Sequence, residues 1–578
     1  MADNSLKKGR YTKYSNKIGL FSNSKGSFIK NDTEVVLNFP FKDTVLEAGM
    51  TKEDKGREER FLQIDIDSKD IDTLEEPKVL TDFRYVDKDG ERSLTASSDV
   101  SFFDEDGELK QNLLIKGNNL LALHTLKSRL AGKVKLIYID PPYNTGGDGF
   151  RYNDNFNHSA WLTFMKNRLE IARELLSDDG VIFVQCDDNE QAYLKVLMDE
   201  IFGQDCFVST SAVVINRGGR DYGGIARTHE YLTVFSRQPD IELNLVEDGE
   251  KKFRYIDEVG GFDLMELRNR NVLFNDKNRP NLCYPFYVNP DEKDDNGLLE
   301  ISLEPKPGFV EVMPAISQGI QTVWRWGKEK ALANLNVDIR GKAKQNGGYM
   351  IVQKYRGTGK RQRSVWDDKE FVNERGTEHI KQLFGRGGFA YPKSEWLIRR
   401  VLEIGSNEGD LILDFCLGSG TTSAVAHKMG RRWVGIEQMD YIEDVAKERL
   451  KKVVEGEQGG ISKSVDWSGG GSFVYFELKK YNQEYIDRIM EATSLKELED
   501  IYVDMRNNAF LKFWFDRSHF EKDEDFRQLD LDGRKEALAD VLDENQLYLN
   551  YADMGDTRHE VTADEKVLTD KFYGTNEN

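Results

Sequence analysis

A short apolar segment that ends abruptly in a carboxylate and two prolines restricts the fold of this chain more than any other stretch. Residues 135–139, Lys-Leu-Ile-Tyr-Ile, are followed directly by Asp140, Pro141, Pro142 and Tyr143. An apolar run of this length, bounded by turn residues, predicts a buried strand. Both prolines have a fixed φ and no N–H, and each holds the residue before it in an extended conformation. We therefore expect a stiff loop at the carboxyl end of a buried strand, where open α/β sheets bind their ligands.

The groups in this loop match the hydrogen-bonding pattern of an amino group on a planar base. The Asp140 carboxylate and the Pro141 carbonyl can each accept one hydrogen of an exocyclic amine, and the Tyr143 ring offers a face for stacking. Two acceptors that favour a pyramidal nitrogen would make this poor nucleophile more reactive. The loop thus predicts methylation of a nucleobase amino group, with the base rotated out of the duplex. A strand followed by an ordinary proline turn explains the same residues, so a second motif is needed.

Segments around the loop alternate between strand and helix patterns. Apolar residues recur at helical spacing in 120–130 and 161–176, and buried strands are predicted at 113–115 and 181–184. The alternation stops near Cys206 and resumes after residue 373. Strands that alternate with helices predict an α/β fold with a doubly wound, mostly parallel sheet.

A second strand-and-turn motif lies far downstream. Residues 411–414, Leu-Ile-Leu-Asp, read as a strand, and residues 415–422, Phe-Cys-Leu-Gly-Ser-Gly-Thr-Thr, read as a turn that opens a helix. The next strand, 433–436, ends in Glu437. This order is typical of nucleoside cofactor sites, because the glycines allow close backbone approach and the acid accepts from ribose hydroxyls. A purely structural turn is the alternative.

The chemistry of the turn favours S-adenosylmethionine over a dinucleotide. The turn lacks the third glycine of the phosphate fingerprint, and S-adenosylmethionine carries no phosphate. Asp414 can pair with the ammonium of its amino-acid tail, whereas the hydroxyls and N–H groups of residues 419–422 and the Lys393 ammonium can meet its carboxylate. Glu437 is expected to bind ribose and to have no role in packing.

The segment between the two motifs is rich in basic, aromatic and glycine residues. Residues 320–363 contain eleven Lys or Arg and two Asp or Glu, although the whole chain has a formal charge of −21. Local patches rather than net charge govern binding to nucleic acid. The segment is therefore predicted to recognise DNA; a plain insertion with a solvated basic face is the alternative. Trp324, Arg325 and Trp326 are the first candidates for base contact, or else a hydrophobic anchor.

A length of 578 residues predicts several domains. Five regions are expected: an N-terminal region (1–110), the catalytic half of the core (111–205), a target-recognition insert (206–373), the cofactor half of the core (374–480) and a helical C-terminal region (481–578). The sequence has no apolar run long enough to span a membrane and no signal peptide at its start, so a cytoplasmic protein is expected. The four scattered cysteines predict neither a disulfide framework nor a metal site.

With both motifs in this order, the chain resembles the amino-group DNA methyltransferases of the β arrangement, in which Asp-Pro-Pro-Tyr precedes the recognition region and the glycine motif follows. The resemblance is closest to the modification (Mod) subunits of type III restriction-modification systems and extends over most of the chain. It is also carried by residues 36–43 (Val-Leu-Asn-Phe-Pro-Phe-Lys-Asp), 391–393 (Tyr-Pro-Lys), 435–443 (Gly-Ile-Glu-Gln-Met-Asp-Tyr-Ile-Glu) and 466–473 (Asp-Trp-Ser-Gly-Gly-Gly-Ser-Phe). Cys416-Leu417 departs from the family, which more often has an aromatic and a small residue there.

The resemblance implies a Rossmann-like methyltransferase sheet and transfer of a methyl group from S-adenosylmethionine to adenine N6 in double-stranded DNA. It also implies a homodimer and a partnership with a helicase-nuclease (Res) subunit. The implied catalytic residues are Asp140, Pro141, Pro142 and Tyr143. The implied cofactor-binding residues are Lys393, Asp414, Phe415, Gly418, Ser419, Gly420, Thr421 and Glu437.

Three alternatives stay open. The first is the same chemistry on cytosine N4, because the proline loop fits either amine. The second is a solitary methyltransferase without a nuclease partner. The third is a non-catalytic scaffold that binds nucleic acid, and the intact Asp140, Gly418 and Gly420 speak against it.

Overall fold

The computed structural model describes most of the chain. The described residues are 75–144, 158–219, 224–247, 251–385, 389, 391–511, 520, 526, 528–543 and 546–575, together with the backbone of four short strands before residue 64. Residues 36–43, which carry part of the resemblance, lie outside the described residues.

The strands and helices are numbered in chain order. The strands are β1 (Phe21–Ser22), β2 (Ser27–Phe28), β3 (Thr44–Glu47), β4 (Arg60–Gln63), β5 (Leu80–Asp87), β6 (Gly90–Ser93), β7 (Asn112–Lys116), β8 (Val134–Ile139), β9 (Leu176–Cys186), β10 (Phe207–Val214), β11 (His229–Ser236), β12 (Val246–Glu247), β13 (Tyr255–Asp257), β14 (Gly260–Glu266), β15 (Phe286–Lys293), β16 (Leu299–Ser302), β17 (Val310–Val312), β18 (Ile316–Ser317), β19 (Ile320–Gln321), β20 (Ile339–Ala343), β21 (Tyr349–Tyr355), β22 (Gly359–Lys360), β23 (Val365–Trp366), β24 (Leu411–Asp414), β25 (Arg432–Glu437) and β26 (Ser472–Leu478). The α-helices are α1 (Asn119–Leu130), α2 (His158–Leu175), α3 (Gln191–Phe202), α4 (Lys328–Ala333), α5 (Asn373–Phe384), α6 (Glu395–Gly405), α7 (Thr421–Lys428), α8 (Glu448–Val454), α9 (Asn482–Glu491), α10 (Leu495–Asn508), α11 (Leu531–Asp540) and α12 (Ala563–Tyr573).

Eleven strands form the main sheet, in the order β23-β10-β11-β9-β8-β24-β25-β7-β26-β5-β6. The six central strands from β9 to β26 run parallel, whereas β11 is antiparallel to β9 and β5 is antiparallel to β26. Four successive residues of β8, 136–139, are almost fully buried, as expected where helices cover both faces of a parallel sheet. The predicted doubly wound, Rossmann-like sheet is confirmed.

The chain divides into two compact units. The first contains residues 1–244 and 362–578, and the second contains residues 245–361. The second unit has its own seven-stranded sheet, in the order β13-β14-β21-β20-β16-β15-β17, and an apolar core that includes Phe286, Ile339 and Ile351.

The second unit is smaller than the insert expected from the sequence. Residues 207–214 and 229–236, which the sequence analysis placed in the insert, are strands β10 and β11 of the main sheet. Leu232 and Phe235 on β11 are buried, and the Phe235 ring packs against Phe202 of α3, which holds the strand in the sheet. The glycine-rich and basic residues between the two strands obscured this pattern in the sequence.

Trp324 is a core residue of the second unit and is not available for base contact. Its side chain is 2% exposed, and its Nε1 donates to the Tyr284 carbonyl at 2.6 Å. Arg325 donates to the Glu266 carbonyl at 2.6 Å. For Trp324 the hydrophobic-anchor interpretation is correct, because its indole is buried edge-to-face against Phe286 in the core of the second unit.

The terminal regions contribute to the main sheet and its core. A turn at Lys88 and Asp89 joins β5 to β6 at one edge of the sheet. Helix α12 packs its Phe572 ring against Phe102, Phe103 and Phe476. In the part of the chain that the structure describes, every helix is too short or too polar to cross a membrane.

Candidate active site

The proline loop (residues 140–143) follows β8 and is held in place by α2. Trp161 lies fully buried on α2, and its Nε1 donates a 2.7 Å hydrogen bond to the Pro142 carbonyl. This bond engages one of the two proline carbonyls of the loop. The side chain of Asp140 is 26% exposed, which makes it the accessible member of the charged group described next.

Lys393 connects the proline loop to the residues before α6. Its ammonium lies 3.1 Å from Asp140 Oδ2, 2.9 Å from the Tyr143 hydroxyl and 3.1 Å from Glu230 Oε2. An ammonium has three hydrogens, so these three acceptors match its capacity. From its sequence, Lys393 is expected to meet the carboxylate of the cofactor; in the structure its ammonium lies between two carboxylates of the chain.

The Tyr143 hydroxyl lies between the same two carboxylates. It is 2.5 Å from Asp140 Oδ1 and 2.9 Å from Glu230 Oε2. Its single hydrogen can serve only one of these acceptors at a time. The ring of Tyr143 also lies 5.0 Å from the Lys393 ammonium, so the orientation of the ring is fixed by both charge and hydrogen bonding.

Glu230 is a site residue that the sequence analysis missed. It lies on β11 and is 8% exposed. Gln185 on β9 donates to Glu230 Oε2 at 2.6 Å and accepts at 2.6 Å from the Tyr138 hydroxyl on β8. The signal in the sequence is a lone carboxylate at the start of an otherwise apolar strand, His-Glu-Tyr-Leu-Thr-Val-Phe at 229–235.

Strand register explains why these side chains meet. Tyr138 pairs with Phe183, and Gln185 lies two residues further along β9, on the same face of the sheet. Gln185 in turn pairs with Leu232, and Glu230 lies two residues before it on β11. Side chains from three adjacent strands therefore project from one face near the carboxyl ends of β8 and β9.

Burial and charge together set the protonation of this group. Burial, reinforced by the charge of Glu230, raises the pKa of Asp140, although Lys393 opposes the shift. Burial would also raise the pKa of Glu230, but Lys393 and Gln185 outweigh it and leave that pKa below its usual range. For Lys393, burial lowers the pKa, but the two carboxylates raise it above its ordinary value. The ammonium is therefore retained at neutral pH.

The glycine turn (residues 415–422) follows β24, the strand next to β8. Ile412 pairs with Leu136, so Asp414 and Asp140 end two neighbouring parallel strands at the same edge of the sheet. Gly418 and Gly420 have φ values of 55° and 78°, a left-handed conformation that favours glycine. A Cβ on Gly420 would also lie 3.3 Å from the Ala446 Cα.

Asp414 is a buried carboxylate at the start of this turn. It accepts a 2.9 Å hydrogen bond from the Cys416 N–H. Burial raises its pKa to about 7, although a hydrogen bond from Thr422 opposes the shift. A cationic group beside Asp414 would favour its ionised form.

Glu437 has a structural role that the sequence analysis did not expect. One carboxylate oxygen accepts from the Gly418 N–H at 2.9 Å, and the other accepts from the Gln438 and Met439 N–H groups at 2.8 and 3.0 Å. The side chain therefore ties the glycine turn to the end of β25. The expectation that Glu437 has no role in packing is wrong, because its carboxylate satisfies three backbone donors.

The remaining predicted residues of the turn are linked to the protein interior. The Ser419 and Thr421 hydroxyls lie 3.1 Å apart, and Arg449 donates to the Thr421 hydroxyl at 2.7 Å. The Phe415 carbonyl accepts a 2.9 Å hydrogen bond from Asn119, the first residue of α1. These contacts fix the backbone of the turn.

A separate buried group of charged residues contains the residue types that bind metal ions in proteins. His379, Glu395 and Glu457 lie close enough to share one ion. The Lys428 ammonium already contacts both carboxylates of this group, at 2.8 Å from Glu395 and with a shorter contact to Glu457. The ammonium thus supplies the positive charge that a cation would bring.

The known proteins that this chain resembles are DNA-modification enzymes. The DNA methylase family matches residues 134–448, which include both the proline loop and the glycine turn. A protein of Haemophilus influenzae named "Probable type III restriction-modification enzyme HindVI Mod subunit" is 35% identical, over 97% of this chain and 88% of the relative.

Two further relatives match the chain in part. The type III restriction-modification enzyme EcoPI Mod subunit of Escherichia phage P1 is 35% identical over 58% of each chain. The type II methyltransferase M.KpnI of Klebsiella pneumoniae is 34% identical over 54% of this chain and 75% of the relative. Together with the site, these matches show that the chain is a DNA methyltransferase of the DNA methylase family and belongs to the Mod subunits of type III restriction-modification enzymes.

Proposed function

We propose that this chain transfers a methyl group from S-adenosylmethionine to N6 of adenine in double-stranded DNA. The observation that carries the proposal is the position of Asp140 and Asp414 at the ends of neighbouring parallel strands. The proline loop and the glycine turn therefore open at one edge of the sheet, where strand order reverses and ligands bind in folds of this class.

The proline loop would hold the target base. An ionised carboxylate has about four lone pairs on its two oxygens, so Asp140 can accept an amine hydrogen in addition to its bonds with Tyr143 and Lys393. The Pro141 carbonyl would accept the second hydrogen. The two acceptors direct the nitrogen lone pair away from the loop, and a base rotated out of the duplex would stack on Tyr143.

The glycine turn would hold the cofactor. S-adenosylmethionine supplies an electrophilic methyl group when it is bound. Asp414 fits its ammonium, because a buried carboxylate with a pKa of about 7 gains from a nearby cation. Gly418 and Gly420 allow close backbone approach, and Phe415, Ser419 and Thr421 shape the turn around them.

Two of the residues predicted to bind the cofactor, Glu437 and Lys393, contact the glycine turn and the proline loop. Glu437 fixes the Gly418 N–H, and because three backbone N–H groups use three of the roughly four lone pairs on its carboxylate, it can accept from at most one ribose hydroxyl. We assign Lys393 to the proline loop, since its ammonium already pairs with both Asp140 and Glu230.

The choice of adenine over cytosine rests on membership in the Mod subunits, because the proline loop accepts either amine. The test is to incubate unmethylated DNA with the purified protein and S-adenosylmethionine, and to identify the methylated nucleosides by mass spectrometry. We expect N6-methyladenine. Detection of N4-methylcytosine alone would contradict the adenine assignment and leave the methyltransferase assignment intact.

We also propose that the second unit (residues 245–361) and the neighbouring basic residues recognise the DNA sequence. Residues 320–363 are strongly basic within an acidic chain, which suits contact with phosphates. Replacing residues 245–361 with the corresponding segment of a related enzyme leaves β10, β11 and Glu230 in place, so it should transfer the recognition sequence and leave the chemistry unchanged. Continued methylation of the original sites would locate recognition elsewhere.

Finally, we propose that the protein is a cytoplasmic homodimer that partners a Res helicase-nuclease subunit. The support is membership in the Mod subunits. Sedimentation of the purified protein tests the dimer, and co-purification with a co-expressed Res subunit tests the partnership. A monomer that methylates DNA and binds no Res subunit would favour the alternative of a solitary methyltransferase.

A further inference from the structure

We propose that Glu230 is a positioning residue for methyl transfer, and that it acts by holding Lys393 and Tyr143 against Asp140 so that Asp140 can accept a proton. This inference rests on the proposed function, because it requires Asp140 to contact the target amine. Glu230 itself lies behind Asp140 and does not reach the base. Its role is to set the charge and geometry of the residue in front of it.

The geometry shows how Glu230 is fixed. Its Oε2 lies 2.6 Å from Gln185 Nε2, 2.9 Å from the Tyr143 hydroxyl and 3.1 Å from the Lys393 ammonium. The orientation of Gln185 is set in turn, because its other amide atom accepts from the Tyr138 hydroxyl. A carboxylate held by donors from three elements has little freedom to turn away from the site.

Sharing of Lys393 is the central point. One ammonium serves two carboxylates, at 3.1 Å from each, so neither is fully neutralised. Glu230 is the more buried of the two, with 11% of its side chain exposed against 26% for Asp140. The excess negative charge is therefore available at Asp140, the side that a substrate can reach.

The negative charge on Asp140 allows it to accept a proton from the methylated amine. As the N–CH3 bond forms, the S–CH3 bond of the sulfonium breaks, its electron pair stays on sulfur and the amine nitrogen becomes cationic. That nitrogen must then lose one hydrogen as a proton. Asp140 already accepts a hydrogen bond from it in the proposed pose and can take the proton. A second carboxylate nearby raises the pKa of Asp140 and makes it a better acceptor.

Other ionisable groups also face Asp140 and Glu230. Tyr138 and Cys186 are neutral, because burial raises the pKa of both well above the ordinary range. Asp414 lies near Asp140, but its own pKa of about 7 leaves it partly protonated at neutral pH. Lys393 opposes the effect of Glu230 and is positively charged throughout. Glu230, whose pKa lies below its usual range, is thus the ionised acid that shares Lys393 and Tyr143 with Asp140.

The test is the variant Glu230→Gln, which removes the charge and retains the size. We expect kcat at neutral pH to fall about tenfold, as for loss of a charge-assisted hydrogen bond, with little change in the KM for DNA. We also expect the acidic limb of the kcat profile to move to lower pH by about one unit. Lys393 would then pair with Asp140 alone and lower its pKa.

Two further variants separate charge from packing. Glu230→Asp keeps the negative charge but moves the carboxylate away from Lys393 and Tyr143 by the length of one methylene. The acidic limb of its kcat profile should therefore stay at the wild-type pH, while kcat falls. Asp199→Asn removes a carboxylate from an i,i+4 pair with Lys195 on α3 and should change neither quantity. The thermal midpoint of each variant shows whether it folds. If Glu230→Gln does not fold, the kcat and pH profile of Glu230→Asp still test the proposal.

An acidic limb of Glu230→Gln that coincides with the wild-type limb, or that moves to higher pH, would overturn the proposal. Wild-type kcat in Glu230→Asp would also overturn it, because the position of the carboxylate would then be irrelevant. A wild-type protein that methylates no DNA would instead refute the proposed function, so the two failures are distinguishable.

Discussion

The Glu437 carboxylate accepts a 2.9 Å hydrogen bond from the Gly418 N–H, and this bond joins the glycine turn to the end of the next strand. Two more N–H groups, from Gln438 and Met439, depend on the same side chain. Glu437→Ala is therefore expected to lower the free energy of unfolding by about 1–3 kcal/mol, as for buried donors that lose their acceptor. It should also weaken S-adenosylmethionine binding.

Calorimetry and thermal unfolding measure these two effects separately. Glu437→Gln is the matched control, since an amide oxygen can still accept from Gly418; it should recover most of the stability. Unchanged stability in Glu437→Ala would show that the three hydrogen bonds contribute nothing net.

Asp140→Ala is expected to reduce methyl transfer by one to two orders of magnitude or more. Loss of a charge-assisted hydrogen bond costs about 1.5–3 kcal/mol, which is roughly that factor in rate, and lost alignment of the base adds to it. S-adenosylmethionine affinity should remain measurable, because Asp140 belongs to the proline loop. Near wild-type turnover in single-turnover assays would refute the catalytic assignment.

Cofactor affinity is expected to rise with pH and to level off above about pH 7. Burial raises the pKa of Asp414 to about 7, so below that pH the group is mostly neutral and cannot pair with an ammonium. The stability of the cofactor-free protein should change with pH in the opposite direction to the cofactor affinity. A folded pKa above the ordinary value makes the cofactor-free protein lose stability as pH rises from about 4 to 7.

Binding isotherms at several pH values, for the wild type and for Asp414→Asn, measure this dependence. The asparagine variant should bind more weakly and show a flat profile across the same range. A wild-type affinity that is constant from pH 5 to 8 would remove Asp414 from the ammonium site.

Neutralising Lys360, Arg361 and Arg363 is expected to weaken DNA binding about equally for all sequences. All three side chains are exposed in the strongly basic segment. Each lost phosphate contact should flatten the log–log salt dependence of binding by about 0.9. Neutralising the exposed Lys88, Lys463 and Lys496 changes the net charge equally and is the control. An equal effect of both triple variants would mean that only overall charge matters.

The central strands of the main sheet could be predicted, because each is marked by the residues of its own short segment. Residues 135–139 and 411–414 are short apolar runs that end in a carboxylate, and each was placed correctly from its own sequence. The glycine turn could be predicted for the same reason, since the left-handed φ values at Gly418 and Gly420 favour glycine.

Glu230 could not be predicted because its partners are distant in sequence. It contacts Tyr143 and Lys393, which lie 87 and 163 positions away, and nothing in the local sequence specifies those contacts. The contacts of Lys393 could not be predicted for the same reason. Its motif showed that a cation was needed, but only the fold shows that two carboxylates already surround it. Trp324 was ambiguous because burial depends on a core built from strands far apart in sequence.

The pairing of β8 with β24 has a consequence for synthesis of the chain. Leu136 pairs with Ile412, and the whole second unit lies between them in the sequence. A ribosome adds roughly 5–20 residues per second, so β8 emerges on the order of 10 s or more before its permanent neighbour exists. During that interval one edge of β8 can pair with other strands. The catalytic half must therefore remain folding-competent until nearly three-quarters of the 578 residues have been made.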